Sequence, residues 1–486
     1  MLNNDRVRPS YWNVRTFLLG QPAVYAQTAT FSNGTESYKE SSNYTQEYWT
    51  DFYSPGGNGG GVLGLYRAME RAYGELPEAE KQAQDIFMQA GKVVLIDEAS
   101  KMVDMWGDIP FSKAGSLPTS STIVNAPFDD QVSLYKGFIA DLDKLNTFFA
   151  TAATTDAFKK YDILLSGNVS KWQRYVNSLR LRLLMRTSNV DENTARTEIL
   201  KMLASPATYP LVDGDNNGSY NPATSDILLR PLTTNTATLN NAYTEGLGYY
   251  APDYMLNKVM LPTNDPRIPV LFDKYFYTEG GKKIYNTEFK AMPVTLTEAQ
   301  QGAATGRYSV VDSTTFLTNA ALPGIVITAS EVNFIKAEAY LRWGSEADAR
   351  VAYETAVRQS ITFYFYLHTI NTSAAVIEPT PSAAAVNTFI AAPGVALSGT
   401  TTDKLKMIIT QKWLHFGSLQ SVQAWSEYRR TNYPALTFPS EGKQTGYTTP
   451  PTRLLYPSSE VNGNSDNYEA VKAKDTRTTK IFWDVN

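Results

Sequence analysis

Apolar side chains recur at helical spacing in several separate stretches of this chain, and lose that spacing in its middle. Residues 63–73 and 81–105 read as helices, the second carrying Ile86, Val93, Val94 and Ile96 at roughly helical intervals. Residues 106–110 (WGDIP) break it. Residues 129–149 form another amphipathic run, and 172–185 a longer one with Leu179, Leu183 and Leu184 on a common side. Asp191 is positioned to cap a helix over 191–203. From 205 to 325 Asn, Thr, Gly, Pro and Tyr dominate, which predicts loops with short strands or hairpins. Helical spacing returns at 331–343 and 346–359. Leu405, Ile408, Ile409, Trp413 and Phe416 then share one stripe, Gly417 and Ser418 mark a bend, and a second piece carries Leu419, Val422 and Trp425 before Tyr433-Pro434 ends it. Residues 1–62, 370–400 and 442–486 read as mostly irregular, with one short helix in 370–400 and a flexible glycine-rich loop at 54–61.

Ala337, Tyr340, Ala349, Tyr353 and Ala356 sit at the spacing of a tetratricopeptide unit, with Gly344 in the inter-helix turn. Small residues let two antiparallel helices approach, and the aromatics fill the groove between them. Residues 179–202, with Ala195, are a weaker echo. The expected fold is mostly α. Helix pairs form a scaffold from 63–204, 331–360 and 403–434, and a loop-rich half at 205–325 carries short strands. The whole chain, 1–486, is read as one domain.

Composition narrows the chemistry. With 44 Lys and Arg against 48 Asp and Glu, the net charge of −4 argues against a nucleic-acid partner. The absence of Cys excludes disulfides and thiolate metal sites. No run of 18 apolar residues is present to span a membrane, and the first residues lack a signal peptide's charged and apolar regions, so Met1 is read as a start placed on a mature chain. The 30 Tyr, 21 Phe and 8 Trp suit a protein that presents ring faces to a ligand, although most rings are expected in a helical core.

Catalytic signatures are sparse. Only His368 and His415 occur, in no His-Glu-x-x-His arrangement, and His415 reads as a packed helix residue. There is no Gly-x-Ser-x-Gly elbow. Gly59, Gly61 and Gly64 fit a dinucleotide fingerprint in spacing alone, without its flanking strand. Residues 213–218 copy half a calcium loop, but Thr224 stands where a bidentate Glu is needed, so a polar turn is expected, with a partial Ca²⁺ site as the alternative. Asp253, Asp265 and Asp273 could accept sugar hydroxyls or act as acids; surface or capping carboxylates are the simpler reading.

Six segments in chain order resemble one family. They are WGDIPFSKA (106–114), KWQRYVNSLRLRLLMR (171–186), DPRIP (265–269), EVNFIKAEAYLRWG (331–344), QKWLHFGSLQSVQAWSEYRRTNYP (411–434) and RLLYPSSEVNGN (453–464). Together they resemble the SusD/RagB family, with its Gly-Asp-x-Pro, Asp-Pro-Arg and Arg-Arg-Thr-x-Tyr-Pro segments. The resemblance implies a lipid-anchored protein on the outer-membrane surface of Bacteroidota-type bacteria. Such a protein captures oligosaccharide, or in some members peptide, for a SusC-like TonB-dependent transporter, without catalysis. No metal-ligand or cofactor residues are assigned, and a structural Ca²⁺ stays open. The lipidated Cys of such proteins is missing from this sequence, so the anchor rests on the resemblance alone. A helical glycoside hydrolase and a tetratricopeptide adaptor are the competing classes.

The shared motifs read as scaffold. Trp413, Phe416 and Trp425 are expected as core anchors, with Arg429 and Arg430 paired to carboxylates such as Glu427. Sugars present C–H patches to aromatic faces and hydroxyls to polar side chains. The candidate ligand residues are therefore those on loops: Tyr53, Asn58, Tyr249, Tyr250, Tyr254, Tyr275 and Tyr277.

Overall fold

The structure, a computed structural model, describes residues 1, 6–54, 60–116, 125–214, 220–231, 236–373 and 376–485, with backbone alone at 236–238. It divides into two compact units. Residues 1–7, 40–212 and 451–486 make the first, and residues 8–39 and 213–450 the second.

The first unit is helical: α1 (Ser42–Tyr53), α2 (Val62–Gly74), α3 (Glu78–Trp106), α4 (Gln131–Thr151), α5 (Val169–Arg186) and α6 (Glu192–Ala204). α5 begins where the Asn168 side chain accepts from the Lys171 N–H at 3.0 Å, and it buries Trp172, Val176, Leu179 and Leu183. Trp172 stacks on Phe149 of α4, ring centroids 5.9 Å apart and 13° from parallel. Asp191 caps α6 as expected, accepting from the Thr194 N–H at 3.3 Å. Glu98 lies buried between Arg6 (2.8 Å) and Lys101 (2.6 Å). Burial alone would raise its carboxyl, yet Lys101 and Arg6 together pull it down to about 2. One expectation fails in this unit: α1 falls in a stretch read as irregular. Thr45, Tyr48, Trp49 and Phe52 form its buried stripe, and the polar residues between them mask its period.

The second unit holds the predicted helix pair, α7 (Ala329–Trp343) and α8 (Glu346–Thr369). Ala337, Ala349 and Ala356 are fully buried, which permits the close approach. α8 runs ten residues past its expected end because Ile361, Phe363, Tyr364, Phe365 and Leu367 also find the core. α9 (Thr401–Phe416) and α10 (Ser421–Thr431) follow. They bend at Gly417, whose φ of 52° strains any other residue and where an added Cβ would lie 2.9 Å from the Tyr364 hydroxyl. Arg430 forks onto Glu338 of α7 at 2.6 and 2.8 Å and reaches Glu427, which also accepts from Lys412 at 2.7 Å. Arg429 lies over Trp425, 3.7 Å from its ring centroid. These residues of the 411–434 motif therefore lock helices together.

Between residues 227 and 327 the same unit forms short antiparallel ladders. β1 (Ile227–Leu229) pairs with β6 (Gly324–Ile327), β2 (Phe272–Asp273) with β5 (Val310–Val311), and β3 (Phe276–Glu279) with β4 (Lys282–Tyr285). In the first unit Ile109–Pro110 pairs antiparallel with Phe128–Asp129. The fold is thus mostly helical, with most of the short strands among the described residues in the loop-rich part.

Candidate functional site

The β3–β4 hairpin turns through Gly280 and Gly281, with φ of 58° and 75°. Two adjacent central residues at positive φ define the turn that matches strand twist, and glycine adopts it without strain. Its register pairs Phe276 with Tyr285, Tyr277 with Ile284, Thr278 with Lys283 and Glu279 with Lys282. Because side chains alternate along a strand, Phe276, Thr278, Lys283 and Tyr285 share one face, and Tyr277, Glu279, Lys282 and Ile284 the other. The Arg307 guanidinium covers the second face, lying 4.0 Å from the centroid of Tyr277. The first face carries Tyr285, which is 64% exposed.

Rings continue from that face into the body of the unit. Tyr285 lies 5.5 Å from Phe276, Phe276 lies 4.7 Å from Tyr275, and Tyr275 meets Tyr249 edge-on at 5.4 Å. Beneath them sits a buried cluster of Tyr250, Met292 and Val310, against which Tyr249, Tyr275 and Tyr308 pack. The Tyr250 hydroxyl accepts from the Gly306 N–H at 3.0 Å, and Asn286 Nδ2 donates to the Gly306 carbonyl at 2.9 Å. Burial first, and then hydrogen bonding to Tyr275, pushes the Tyr249 phenol well up, so it stays a neutral donor at physiological pH. This is a run of four rings, half-buried at one end and open at the other. It can stack on apolar faces and offer phenol hydroxyls to a polar rim.

The seven candidate residues are distributed unevenly. Tyr249, Tyr250 and Tyr275 come together here, with Tyr250 as a buried support. Tyr277 belongs to the same hairpin but faces Arg307. Tyr254 lies elsewhere in the unit, edge-on to Trp413 at 6.0 Å. Tyr53 belongs to the first unit and packs on Trp49 and Phe52 at 5.3 and 4.9 Å. Asn58 and Gly59 lie outside the described residues. Phe276, Tyr285 and Tyr308 join the site from outside the seven candidates. The first two carried a usable signal, two alternating runs around a Gly-Gly pair.

Two of the three carboxylate candidates have structural tasks. Asp265 is fully buried and chelates Arg267 at 2.6 and 2.9 Å. Asp253 accepts from Asn257 Nδ2 at 2.7 Å and from the Val294 N–H at 2.9 Å. Asp273 accepts from the Ser313 N–H at 2.8 Å; burial, reinforced by the Asp312 carboxylate, pushes its carboxyl up to about 6. Asp213 pairs with Lys336 at 3.1 Å, and residues 215–219 of the half calcium loop lie outside the described residues. Both histidines are buried. His415 sits between Thr328 (2.7 Å) and Ser360 (3.0 Å), held down to about 3 by burial and then by Arg267. Among the described residues no group of three His, Cys, Asp or Glu could hold a metal.

Two hollows lie among the described residues of the unit. A small, mostly apolar cavity of about 30 Å³ is lined by Tyr250, Phe272, Phe316 and Phe416 among others. A cleft of about 530 Å³ opens along α7 and α8, lined by Asn333, Lys336, Tyr340, Thr355 and Arg358 among others. Its polar groups largely satisfy one another: Asn333 and Gln359 both donate to the Asp213 carbonyl at 2.9 Å.

Comparison places the chain among known proteins. A family model described as "Starch-binding associating with outer membrane", of the SusD-like type, matches residues 10–457. No curated protein sequence matches. Among solved structures, a chitin-binding protein superposes with a TM-score of 0.77 at 21% identity, covering 99% of this chain and 98% of its own. A chitin-binding SusD homolog from Flavobacterium johnsoniae gives 0.72 at 20% identity, covering 98% of each chain. A SusD homolog from Bacteroides uniformis gives 0.69 at 20% identity, covering 96% of this chain and 95% of its own. At these identities the structures speak to the fold, while the family model spans nearly the whole sequence, and the chain belongs to the SusD-like family.

Proposed function

We propose that this protein is a non-enzymatic, cell-surface oligosaccharide-binding protein. It holds glycan on the Tyr249–Tyr275–Phe276–Tyr285 run and delivers it to a partner TonB-dependent outer-membrane transporter. One observation carries the reading: a supported row of rings ends in a tyrosine that is 64% exposed. Apart from its contact with Phe276, so exposed a ring adds little to the core, and ring faces are what pyranose C–H patches seek. Family membership and the chitin-binding proteins of the same fold support a glycan ligand and a place at the outer membrane. A lipid anchor at the N-terminus is part of the proposal. Binding rather than hydrolysis is favoured because Asp253 and Asp265 are both engaged in structural bonds.

Titration calorimetry against plant, host and microbial oligosaccharides, with a peptide library alongside, tests this directly. Binding of one glycan class, weakened by Tyr275→Ala and Tyr285→Ala, is the expected result. Peptide enrichment with no glycan signal would move the protein to the peptide-binding reading.

A further inference from the structure

Some exposed lysines of this protein have a carboxylate three residues away: Lys144 with Asp141 (3.2 Å) and Lys159 with Asp156 (3.1 Å) on helices, and Lys39 with Glu36 (2.7 Å) and Lys472 with Glu469 (2.8 Å) at turns. Others, such as Lys136 and Lys160, have no such partner among the described residues. Around the ring run several lysines of this second kind are gathered together. Lys274, Lys282, Lys283 and Lys290 are all exposed. Among the described residues none of them has a carboxylate within the 4.0 Å of an ion pair.

Three of these ammonium groups are held over rings instead. Lys283 Nζ lies 4.2 Å from the centroid of Phe276, Lys274 Nζ 5.0 Å from Phe289, and Lys290 Nζ 5.5 Å from Tyr308. Phe276 belongs to the run, and Tyr308 packs on its base beside Tyr249 and Tyr275. The register puts Lys283 on the same hairpin face as Phe276 and Tyr285. Lysine on an exposed strand also deters strand-to-strand aggregation. That accounts for Lys282 and Lys283, but Lys274 and Lys290 lie outside both strands of the hairpin. The carboxylates of the neighbourhood offset this charge only in part: Glu279, opposite Lys282 in the register, faces Arg307 at 3.8 Å, Asp273 is half-buried against Asp312, and the exposed Glu288 forms no ion pair with these lysines among the described residues.

Resting on the proposed glycan reading, we infer that the ring run takes an acidic oligosaccharide, with Lys274, Lys283 and Lys290 meeting its carboxylate or sulfate groups while Tyr285 and its neighbours stack on the sugar rings. The charge sits in a chain of overall negative sign, so it is a local feature of this face.

The test is calorimetric titration of the full chain with three probes: a galacturonic acid hexamer, a sulfated galactan hexamer and neutral N-acetylglucosamine hexamer. At low salt one acidic hexamer should bind about ten-fold tighter than the neutral one, since each exposed ion pair gives roughly two- to five-fold. The gap should close in ~0.5 M NaCl, where charges are screened within about 4 Å. The triple substitution Lys274→Gln, Lys283→Gln, Lys290→Gln should remove that preference with only a small drop in melting temperature, because all three side chains are exposed and their ring contacts are weak. Which acidic hexamer wins tells carboxylate from sulfate. The inference is overturned if the neutral hexamer binds as tightly as both acidic ones, if no acidic hexamer binds, or if the lysine substitutions leave acidic binding unchanged. Neutral binding lost in Tyr285→Ala but indifferent to the lysines would keep the ring site and reject its acidic ligand.

Discussion

Gly306 packs so closely under Phe276 that a Cβ placed on it would lie 2.3 Å from the Phe276 carbonyl oxygen. Its φ of 78° is also one that only glycine adopts freely. The loop below the hairpin and the ring run above it are thereby fixed at van der Waals distance. Gly306→Ala should destabilise the protein by about 1–3 kcal/mol and lower glycan affinity, because the hairpin must shift to make room. Thermal melting with titration of the same sample checks both effects. A variant with unchanged melting and affinity would show that the loop does not brace the rings.

The second prediction separates scaffold from site. Arg430 is buried and shared between Glu338 and Glu427. Removing one partner of a buried ionic network typically costs ~3–5 kcal/mol, because the remaining charges are left uncompensated. Arg430→Ala should lower the denaturation midpoint accordingly, with ligand affinity intact in the fraction that stays folded. A folded Arg430→Ala protein that has lost binding would place the ligand at the 411–434 motif instead.

Stability should also depend on pH through Asp226. Its carboxylate accepts from the Ala329 N–H at 2.8 Å and the Tyr220 hydroxyl at 2.7 Å, but burial dominates and pushes the carboxyl up to about 7. A raised carboxyl pKa means that the folded state binds the proton more tightly than the unfolded chain. Its contribution is therefore complete below about 4 and is lost as pH rises through about 7. Asp226→Asn should raise the melting temperature at pH 8 and change it little at pH 4. The opposite ordering would mean that the hydrogen bonds outweigh burial.

Much of the scaffold was legible because helices repeat. Ala337, Ala349 and Ala356 announced the α7–α8 approach by spacing alone, and Gly417 marked the bend that its φ demands. α1 was hidden because Tyr48, Trp49 and Phe52 stand among Asn, Thr and Gln, so its apolar stripe has little contrast. The site was only partly legible for a different reason. Loop composition pointed to Tyr249 and Tyr275, which lie 26 positions apart and meet only when the unit folds. Which of Phe276 and Tyr277 faces outward depends on strand register, and a one-residue slip would exchange them. Tyr254 looked equivalent to its neighbours in sequence, but its helical turn aims it at Trp413.

Tyr285 is the exposed end of the ring run, and another exposed tyrosine supplies its control. Tyr161, on the first unit, is 65% exposed and Tyr285 64%, which makes them a matched pair. Both alanine variants should melt within about 0.5 kcal/mol of the parent, as exposed substitutions do. Titration with the glycan that binds the parent should then show Tyr161→Ala unchanged and Tyr285→Ala weakened about ten-fold, the worth of one well-placed ring. Equal affinities for the two variants would contradict a glycan site on the hairpin.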